Sequence, residues 1–206
     1  MKLFANIVSI LFNPLLMITY SVVLMLMFTY LAIYPFKIKM FLVGSSLLST
    51  AIIPGLFVVL MKNNGSISDY ELTDRRERAV PYLIFMTSIL GFLFLLNRMQ
   101  LPVWFMSILF GSIVALVCAI VINFYWKISA HGIGIGGLTG SIMGVASLHH
   151  INIYQLFIFL IIVAGFVSTS RIILEKHTPM QTYAGICLGF ICTFVSALLS
   201  YIYFII

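Results

Sequence analysis

Charged residues are scarce in this sequence. Only 8% of its 206 residues are Asp, Glu, Lys or Arg, whereas 63% are hydrophobic. A soluble domain has about 25% charged residues, so this chain lacks the polar surface that a water-soluble globule needs. Its long apolar runs also lack the alternation of polar and apolar residues that marks a transmembrane β-barrel. We therefore expect residues 1–206 to form a single all-α, polytopic transmembrane helical bundle, in which each crossing takes about 20 residues.

Residue clusters typical of metal or ion chemistry are missing as well. Cys118, Cys187 and Cys192 lie inside apolar segments without the spacing of metal ligands, so we interpret them as packing residues and expect no metal and no cofactor. No apolar segment carries an acidic or basic residue at its middle, which argues against an ion or proton pathway. A basic stripe with interleaved aromatic residues is also lacking, so we expect no nucleic-acid partner.

Long apolar segments make up most of the chain. We expect about seven (six to seven) spanning helices, at 15–34, 40–61, 81–96, 103–125, 132–148, 153–169 and 182–206. Asn13-Pro14 introduces the first segment, and a short interfacial helix can precede it. Pro54 predicts a kink in the second segment. The fifth segment is rich in glycine, which predicts close helix packing.

Positive residues gather on one side of this predicted bundle. Loops after the second, fourth and sixth segments lie on the side of the N-terminus, which then holds eight of the eleven Lys and Arg residues: Lys2, Lys62, Arg75, Arg76, Arg78, Lys127, Arg171 and Lys176. The positive-inside rule would place this side in the cytoplasm. The four arginines in this set are also candidates for ligand binding. If they are left out, four positive residues remain on this side and three lie on the other. We expect a multi-pass protein of the bacterial cytoplasmic (inner) membrane, with the leaflet of the charged side left open.

Three polar clusters are predicted to meet on the charged side. The first reads Asp74-Arg75-Arg76-Glu77-Arg78-Ala79-Val80-Pro81. Three arginines in four residues suit bidentate binding of phosphate oxygens. The alternative is an interfacial anchor, in which Asp74 pairs with Arg78 at i, i+4.

The second and third clusters lie at predicted helix starts. The second is Lys127-Ile128-Ser129-Ala130-His131-Gly132, at the head of the glycine-rich helix, where free N–H groups favour an anion. The third runs from Ser170 and Arg171 to Gln181. Within it, Thr178 as N-cap, Pro179 at N1 and Gln181 at N3 form a capping box, which places His177 just before another helix. By contrast, the pair His149-His150 lies on the opposite side, about 25 Å from the second cluster at 1.5 Å per residue, and we interpret both as interfacial loop residues.

These motifs resemble those of the type 2 phosphatidic acid phosphatase superfamily, membrane relatives of vanadium haloperoxidases. Ser129-Ala130-His131 resembles the second signature, and Ser170-Arg171-x5-His177 resembles the third. The stretch from Arg75 to Pro81 looks like a loose version of the first. The resemblance covers about 75–181, within a motif-bearing core of about 71–206.

The resemblance implies a metal-independent phosphoryl transfer through a phosphohistidine. His177 would attack phosphorus and His131 would protonate the departing alkoxide. Arg171 would bind phosphate oxygens, together with a set of further donors: Arg75, Arg76, Arg78, Lys127, Ser129 and the amide of Gly132. Prepositioned donors of this kind are usually the largest catalytic contribution.

Several positions depart from the family pattern. The Asp expected four residues after the nucleophile is Gln181, which can orient His177 but carries no charge. Glu71 stands where the first signature begins with Lys, and two residues separate Arg78 from Pro81 where the signature has Arg-Pro. In the second signature, Ile128 and Ala130 replace Pro and Gly.

The sequence thus predicts a membrane phosphatase, a phosphoric ester hydrolase acting on a lipid phosphate monoester or isoprenyl diphosphate. The alternatives are a catalytically weak or inactive lipid-phosphate-binding or flippase-like protein, and a lipid phosphotransferase that uses the same site. The expected partners are the lipid phosphate and membrane lipids, and the pattern leaves the oligomeric state open.

Overall fold

All regular secondary structure in the described part of the chain is helical. The computed structural model describes residues 1–205, with side chains up to Tyr201, and this part contains no strand. Its α-helices are α1 (Lys2–Leu11), α2 (Met17–Phe28), α3 (Phe36–Leu47), α4 (Ile53–Asn63), α5 (Ala79–Arg98), α6 (Val103–Tyr125), α7 (Ala130–His149), α8 (Tyr154–Ile173) and α9 (Pro179–Ile205). Six helical segments, some of them made of two successive helices, are long and apolar enough to cross a membrane: Lys2–Phe28, Phe36–Asn63, Arg75–Arg98, Val103–Tyr125, Tyr154–Ile173 and Pro179–Tyr201. The protein is an all-α polytopic membrane bundle.

A short helix, α1, precedes the first predicted segment, as the sequence allowed, and the segment itself begins at Pro14. The Asn13 side chain accepts a hydrogen bond from Leu15 N at 3.0 Å, and Pro14 starts a single 3-10 turn before α2. This local cap separates α1 from α2. The helix α1 runs beside α8: Phe4 meets Phe166 at 6.2 Å between ring centroids, and Ser9 contacts Arg171. Lys2 therefore lies at the end of α1 that is farther from Arg171. Counting it among the positive residues of the charged side placed it too close to the others.

The second span is interrupted near Pro54, as predicted. A π-helical turn at Leu48–Ile52 joins α3 to α4, and Pro54 stands in the first turn of α4. A proline has no N–H to donate to the preceding turn, so a wider turn before it accommodates the missing hydrogen bond.

The helices α7 and α9 form the closest pair in the bundle. A Cβ added at Gly132 would lie 2.6 Å from Thr182 O, and one added at Gly185 would lie 2.6 Å from Ser129 O. Glycine therefore allows the backbones of the two helices to touch at their N-terminal ends, which confirms the packing role predicted for the glycine-rich segment. Because α7 is surrounded by protein, it is less apolar than the six spans that face lipid.

Two contacts place the polar clusters at one end of the bundle, which we call the charged end. Ser129 N donates to Gln181 O at 3.2 Å, so α7 and α9 begin side by side. Arg78 Nη1 donates to Ile128 O at 2.7 Å, which brings the start of α5 to the same place. The clusters at 74–81, 127–132 and 170–181 therefore meet, as the sequence predicted.

The opposite end of α7 carries an aromatic cluster. His149 is the last residue of α7 and packs against Trp104, with ring centroids 4.7 Å apart. Trp104 Nε1 also donates to Tyr30 Oη at 2.8 Å. His149 is therefore a packed helical residue, and its interpretation as a loop residue was wrong. The inference that His149 and His150 lie away from the charged end is confirmed.

Candidate functional site

His177 is held in place by Gln181. The ring Nδ1 lies 3.0 Å from Gln181 Oε1, and 8% of the residue is exposed. The same Oε1 accepts from Thr178 N at 3.2 Å, while Gln181 N donates to Thr178 Oγ1 at 3.4 Å. The predicted capping box is thus confirmed. One side-chain oxygen both caps α9 and positions the imidazole.

The environment of His177 keeps its ring uncharged. Burial, together with the positive charges of Arg78, Lys127 and Arg171, lowers the pKa of His177 to about 3, although the hydrogen bond with Gln181 acts in the opposite direction. At neutral pH the imidazole is therefore neutral. Because Gln181 Oε1 can only accept, Nδ1 carries the hydrogen and Nε2 has a free lone pair. A neutral imidazole with its lone pair free is the nucleophilic form.

His131 lies in the first turn of α7 and contacts α1. Its Nε2 is 3.1 Å from Ser9 O, and a carbonyl oxygen only accepts, so Nε2 carries a hydrogen. The preceding N-cap, Ser129, is fully buried and accepts from Gly132 N at 3.2 Å. The Ser129 hydroxyl and the Gly132 amide, both predicted as phosphate donors, are bonded to each other in this state.

Arg171 is buried and paired. Its Nη2 lies 2.9 Å from Glu71 Oε2, and its Nη1 donates to Ser9 Oγ at 3.2 Å. Its Nε has no hydrogen-bond partner among the described residues. Lys176 Nζ is 3.7 Å from the same Glu71 oxygen. Glu71, singled out from the sequence only as a departure from the first signature, is thus the counterion of the candidate phosphate-binding arginine.

The three arginines of the first cluster point to different partners. Arg78 is buried and donates through Nε to Leu72 O at 2.8 Å, in addition to its bond to Ile128. Arg75 Nη1 donates to Phe124 O at 3.0 Å, at the end of α6. Arg76 is exposed. The alternative pairing of Asp74 with Arg78 is wrong, because Asp74 Oδ1 instead accepts from Arg76 N at 2.9 Å.

Positive charge is concentrated between these arginines. Lys127 lies in the loop before α7, where partial burial and the nearby charges of Arg78, Arg171 and Lys176 lower the pKa of its amine. Positive side chains that lie close together disfavour each other's protonated form. For the same reason they attract an anion. The charged end therefore favours a negatively charged ligand, although its loops also hold the five side-chain carboxylates of the chain, among them Asp69 and Glu71.

A cavity of about 330 Å³ opens beside this cluster. Glu71, Arg78 and His131 line its polar part, whereas side chains of α2, α4, α5 and α6 line an apolar remainder. His177 and Arg171 lie at the same end of the bundle but are not among its lining residues. Sequence reasoning missed this cavity. Its only local signal was the helix break at Asn13, which is part of the wall.

A second cavity of about 250 Å³ lies next to the first. The predicted phosphate-binding residues Arg75, Arg76 and Arg78 line it, together with Tyr82 and Asn123. Arg78 and Tyr82 line both cavities and so form part of the wall between them.

Within residues 1–205, no group of three or more His, Cys, Asp or Glu side chains is close enough to hold a metal ion. No protein-family model, no curated protein and no solved structure matches this chain.

Proposed function

We propose that this protein is a membrane phosphatase that hydrolyses a lipid phosphate ester or isoprenyl diphosphate through a phosphohistidine intermediate. The observation that carries the proposal is His177, a buried neutral imidazole held by Gln181 at 3.0 Å. It lies at the same end of the bundle as His131 and two buried arginines, Arg78 and Arg171. Neutral histidine, positive charge and a cavity with an apolar interior are the elements that this reaction needs on a lipid substrate.

In the first step, His177 Nε2 attacks phosphorus. A P–N bond forms and the P–O bond to the leaving group breaks, while His131 transfers a proton to the departing oxygen. The leaving group is a lipid alcohol for a monoester and an isoprenyl phosphate for a diphosphate. For this step His131 has to be doubly protonated, and the negative charge of a bound phosphate favours that cationic form. Water then attacks the phosphohistidine and gives its proton back to His131. The P–N bond breaks and inorganic phosphate leaves.

The positive side chains stabilise charge on the equatorial oxygens. Arg171 binds them once the phosphate replaces Glu71, and Arg78 contributes from the cavity wall. Gln181 keeps the Nδ1–H of His177 in place without supplying the negative charge that a carboxylate would add. We therefore expect a lower reaction rate than in an enzyme that has Asp at this position.

One observation favours a second candidate, a lipid-phosphate binder or flippase-like protein without catalysis. The Glu71 carboxylate already occupies Arg171, and Gln181 has a complete structural role as the cap of α9. A phosphotransferase differs from the phosphatase only in that a lipid alcohol replaces water in the second step.

The test is phosphate release by detergent-purified protein from a panel of lipid phosphates in the presence of a chelator. Wild type should release phosphate without added metal, and both His177→Asn and His131→Asn should abolish release. His150→Asn is the matched control, since His150 is exposed at the opposite end of α7. Wild type quenched with alkaline detergent should also carry an acid-labile, base-stable phosphoryl group that His177→Asn lacks. A metal requirement, or full activity of His177→Asn, would contradict the mechanism.

A further inference from the structure

The larger cavity is polar at one end only. Glu71, Arg78 and His131 lie together at the charged end, and residues such as Ile18, Val58 and Leu138 line the interior. Apolar walls hold water poorly, so a ligand that fills this space combines an anionic group with hydrocarbon.

The cavity extends into the bundle along several helices. On α7 its wall runs from His131 to Leu138, and on α5 it runs from Arg78 to Phe85. The first and last residues of each stretch are seven positions apart, which corresponds to roughly 10 Å of helix. Because both stretches begin at the charged end, the cavity forms a channel that extends from that end roughly 10 Å along the helices.

Tyr82 supplies an independent sign of a ligand. Its hydroxyl is buried without a hydrogen-bond partner among the described residues, and the side chain lines the cavity beside Arg78. The residue is only 8% exposed. Buried polar groups nearly always have a partner, so this hydroxyl is available to a polar ligand group at the wall that the two cavities share.

We propose that this cavity binds the single hydrocarbon chain of a lipid phosphate, with the phosphate at the end formed by Arg78 and His131. The inference rests on the proposed function and narrows its substrate class to lipid phosphates with one chain, acyl or isoprenyl. The volume of about 330 Å³ favours one chain over two. It lies at the lower limit of ligand pockets, which range from about 300 to 1,000 Å³.

Two glycines allow the cavity to be filled without disturbing the backbone. A Cβ at Gly55 would meet only Leu15 Cδ1 at 3.9 Å, and one at Gly137 would meet Thr193 Cγ2 at 3.5 Å. Gly55→Leu and Gly137→Val therefore place new side-chain atoms in the channel. Gly91→Leu is the matched control, because Gly91 is exposed on α5 and a Cβ there meets nothing within 4 Å.

The experiment compares kcat/KM for single-chain lipid phosphates of short and long chain with that for a two-chain phosphatidate. Wild type should prefer long single chains. Gly55→Leu and Gly137→Val should lower the ratio of long-chain to short-chain kcat/KM by about tenfold, the size of effect typical of changes in an apolar pocket. Gly91→Leu should keep the ratio of wild type. Equal or faster turnover of the two-chain substrate, or an unchanged ratio in both filled variants, would overturn the inference.

A thermal-shift measurement separates this inference from the proposed function. A long single-chain lipid phosphate should raise the melting temperature of wild type but not of Gly137→Val, whether or not the protein releases phosphate. The neutral alcohol with the same chain should give a smaller shift. An equal shift with the alcohol would mean that any lipid fills the channel. It would overturn the assignment of the ligand to lipid phosphates. Absence of phosphate release alone would overturn only the proposed function.

Discussion

The carboxylate of Glu71 lies 2.9 Å from Nη2 of Arg171, although 100 residues separate them in the chain. Arg171 is buried, whereas the Glu71 side chain is 45% exposed and comes from the loop after α4. A buried guanidinium without a counterion is costly, so Glu71 stabilises the empty site. A phosphate that binds Nη2 of Arg171 has to replace this carboxylate, so under the proposed function Glu71 competes with the substrate.

Replacing Glu71 by Gln should therefore strengthen substrate binding. We expect the KM for a lipid phosphate to fall about tenfold, with kcat changed less, because the competing charge is lost while Arg171 remains. The melting temperature without ligand should fall, since the buried guanidinium loses its counterion. Steady-state kinetics and thermal denaturation measure both effects. Glu175→Gln is the control for the same charge change in an exposed residue of the neighbouring loop. A higher KM in Glu71→Gln would show that Glu71 binds substrate rather than competing with it.

Replacing Gln181 by Glu should raise the reaction rate. Glu keeps the length of the side chain, so its carboxylate can still accept from His177 Nδ1 and from Thr178 N, and it adds the missing negative charge. The pKa of His177 should rise from about 3 toward its ordinary value, and a more basic imidazole is a better nucleophile. We expect a kcat increase of roughly tenfold or more, within the range of general acid–base effects.

The pH dependence of kcat in Gln181→Glu gives the second readout, because the limb assigned to His177 should move to higher pH. Gln100→Glu, at the opposite end of α5, controls for the added charge. If kcat and its pH profile both stay at the wild-type values, the role of Gln181 is limited to capping α9.

The stability of the protein should decline in mild acid because of His177. Its pKa is about 3 in the folded state, compared with the ordinary value of 6.5. Between these two values the unfolded chain binds more protons than the folded one, so stability is complete above about pH 6.5 and falls as the pH decreases toward 3. Melting temperatures in detergent across this range test the sign. His177→Asn should lessen the decline and leave the part due to His131, whose pKa burial also lowers to about 3, whereas His150→Asn should keep the whole decline. A melting temperature of wild type that rises on acidification would contradict the assignment.

The sequence predicted those parts of the site that depend on local chemistry. The start of α9 followed from Thr178, Pro179 and Gln181, since a capping box is a pattern of four residues. The bounds of α6 were also predicted, because Pro102 and Trp126 flank one unbroken apolar run. The meeting of the three clusters at one end followed from counting crossings.

Contacts between distant parts of the chain were not predictable in the same way. The partners of Arg75 and Arg78 are backbone carbonyls about 50 residues away, and a carbonyl leaves no sign in the sequence. Ser9 contacts both Arg171 and His131, but α1 could not be placed against α8 from its apolar pattern alone. Such contacts depend on which helix faces meet, and every face of an apolar helix looks alike.

The close contact of α7 and α9 should be as important for activity as for stability. Alanine at Gly132 would place its Cβ 2.6 Å from Thr182 O, so the two helices would have to move apart at the charged end. Overpacking of this kind typically costs about 1–3 kcal/mol. The same movement would stretch the bond from Ser129 N to Gln181 O, and with it the relation between His131 and His177. We therefore expect Gly132→Ala to lower both the melting temperature and kcat. Gly165→Ala should change neither, because the space around Gly165 is open. If Gly132→Ala melts at a lower temperature but retains the wild-type kcat, the spacing of the two helix N-termini does not control the chemistry.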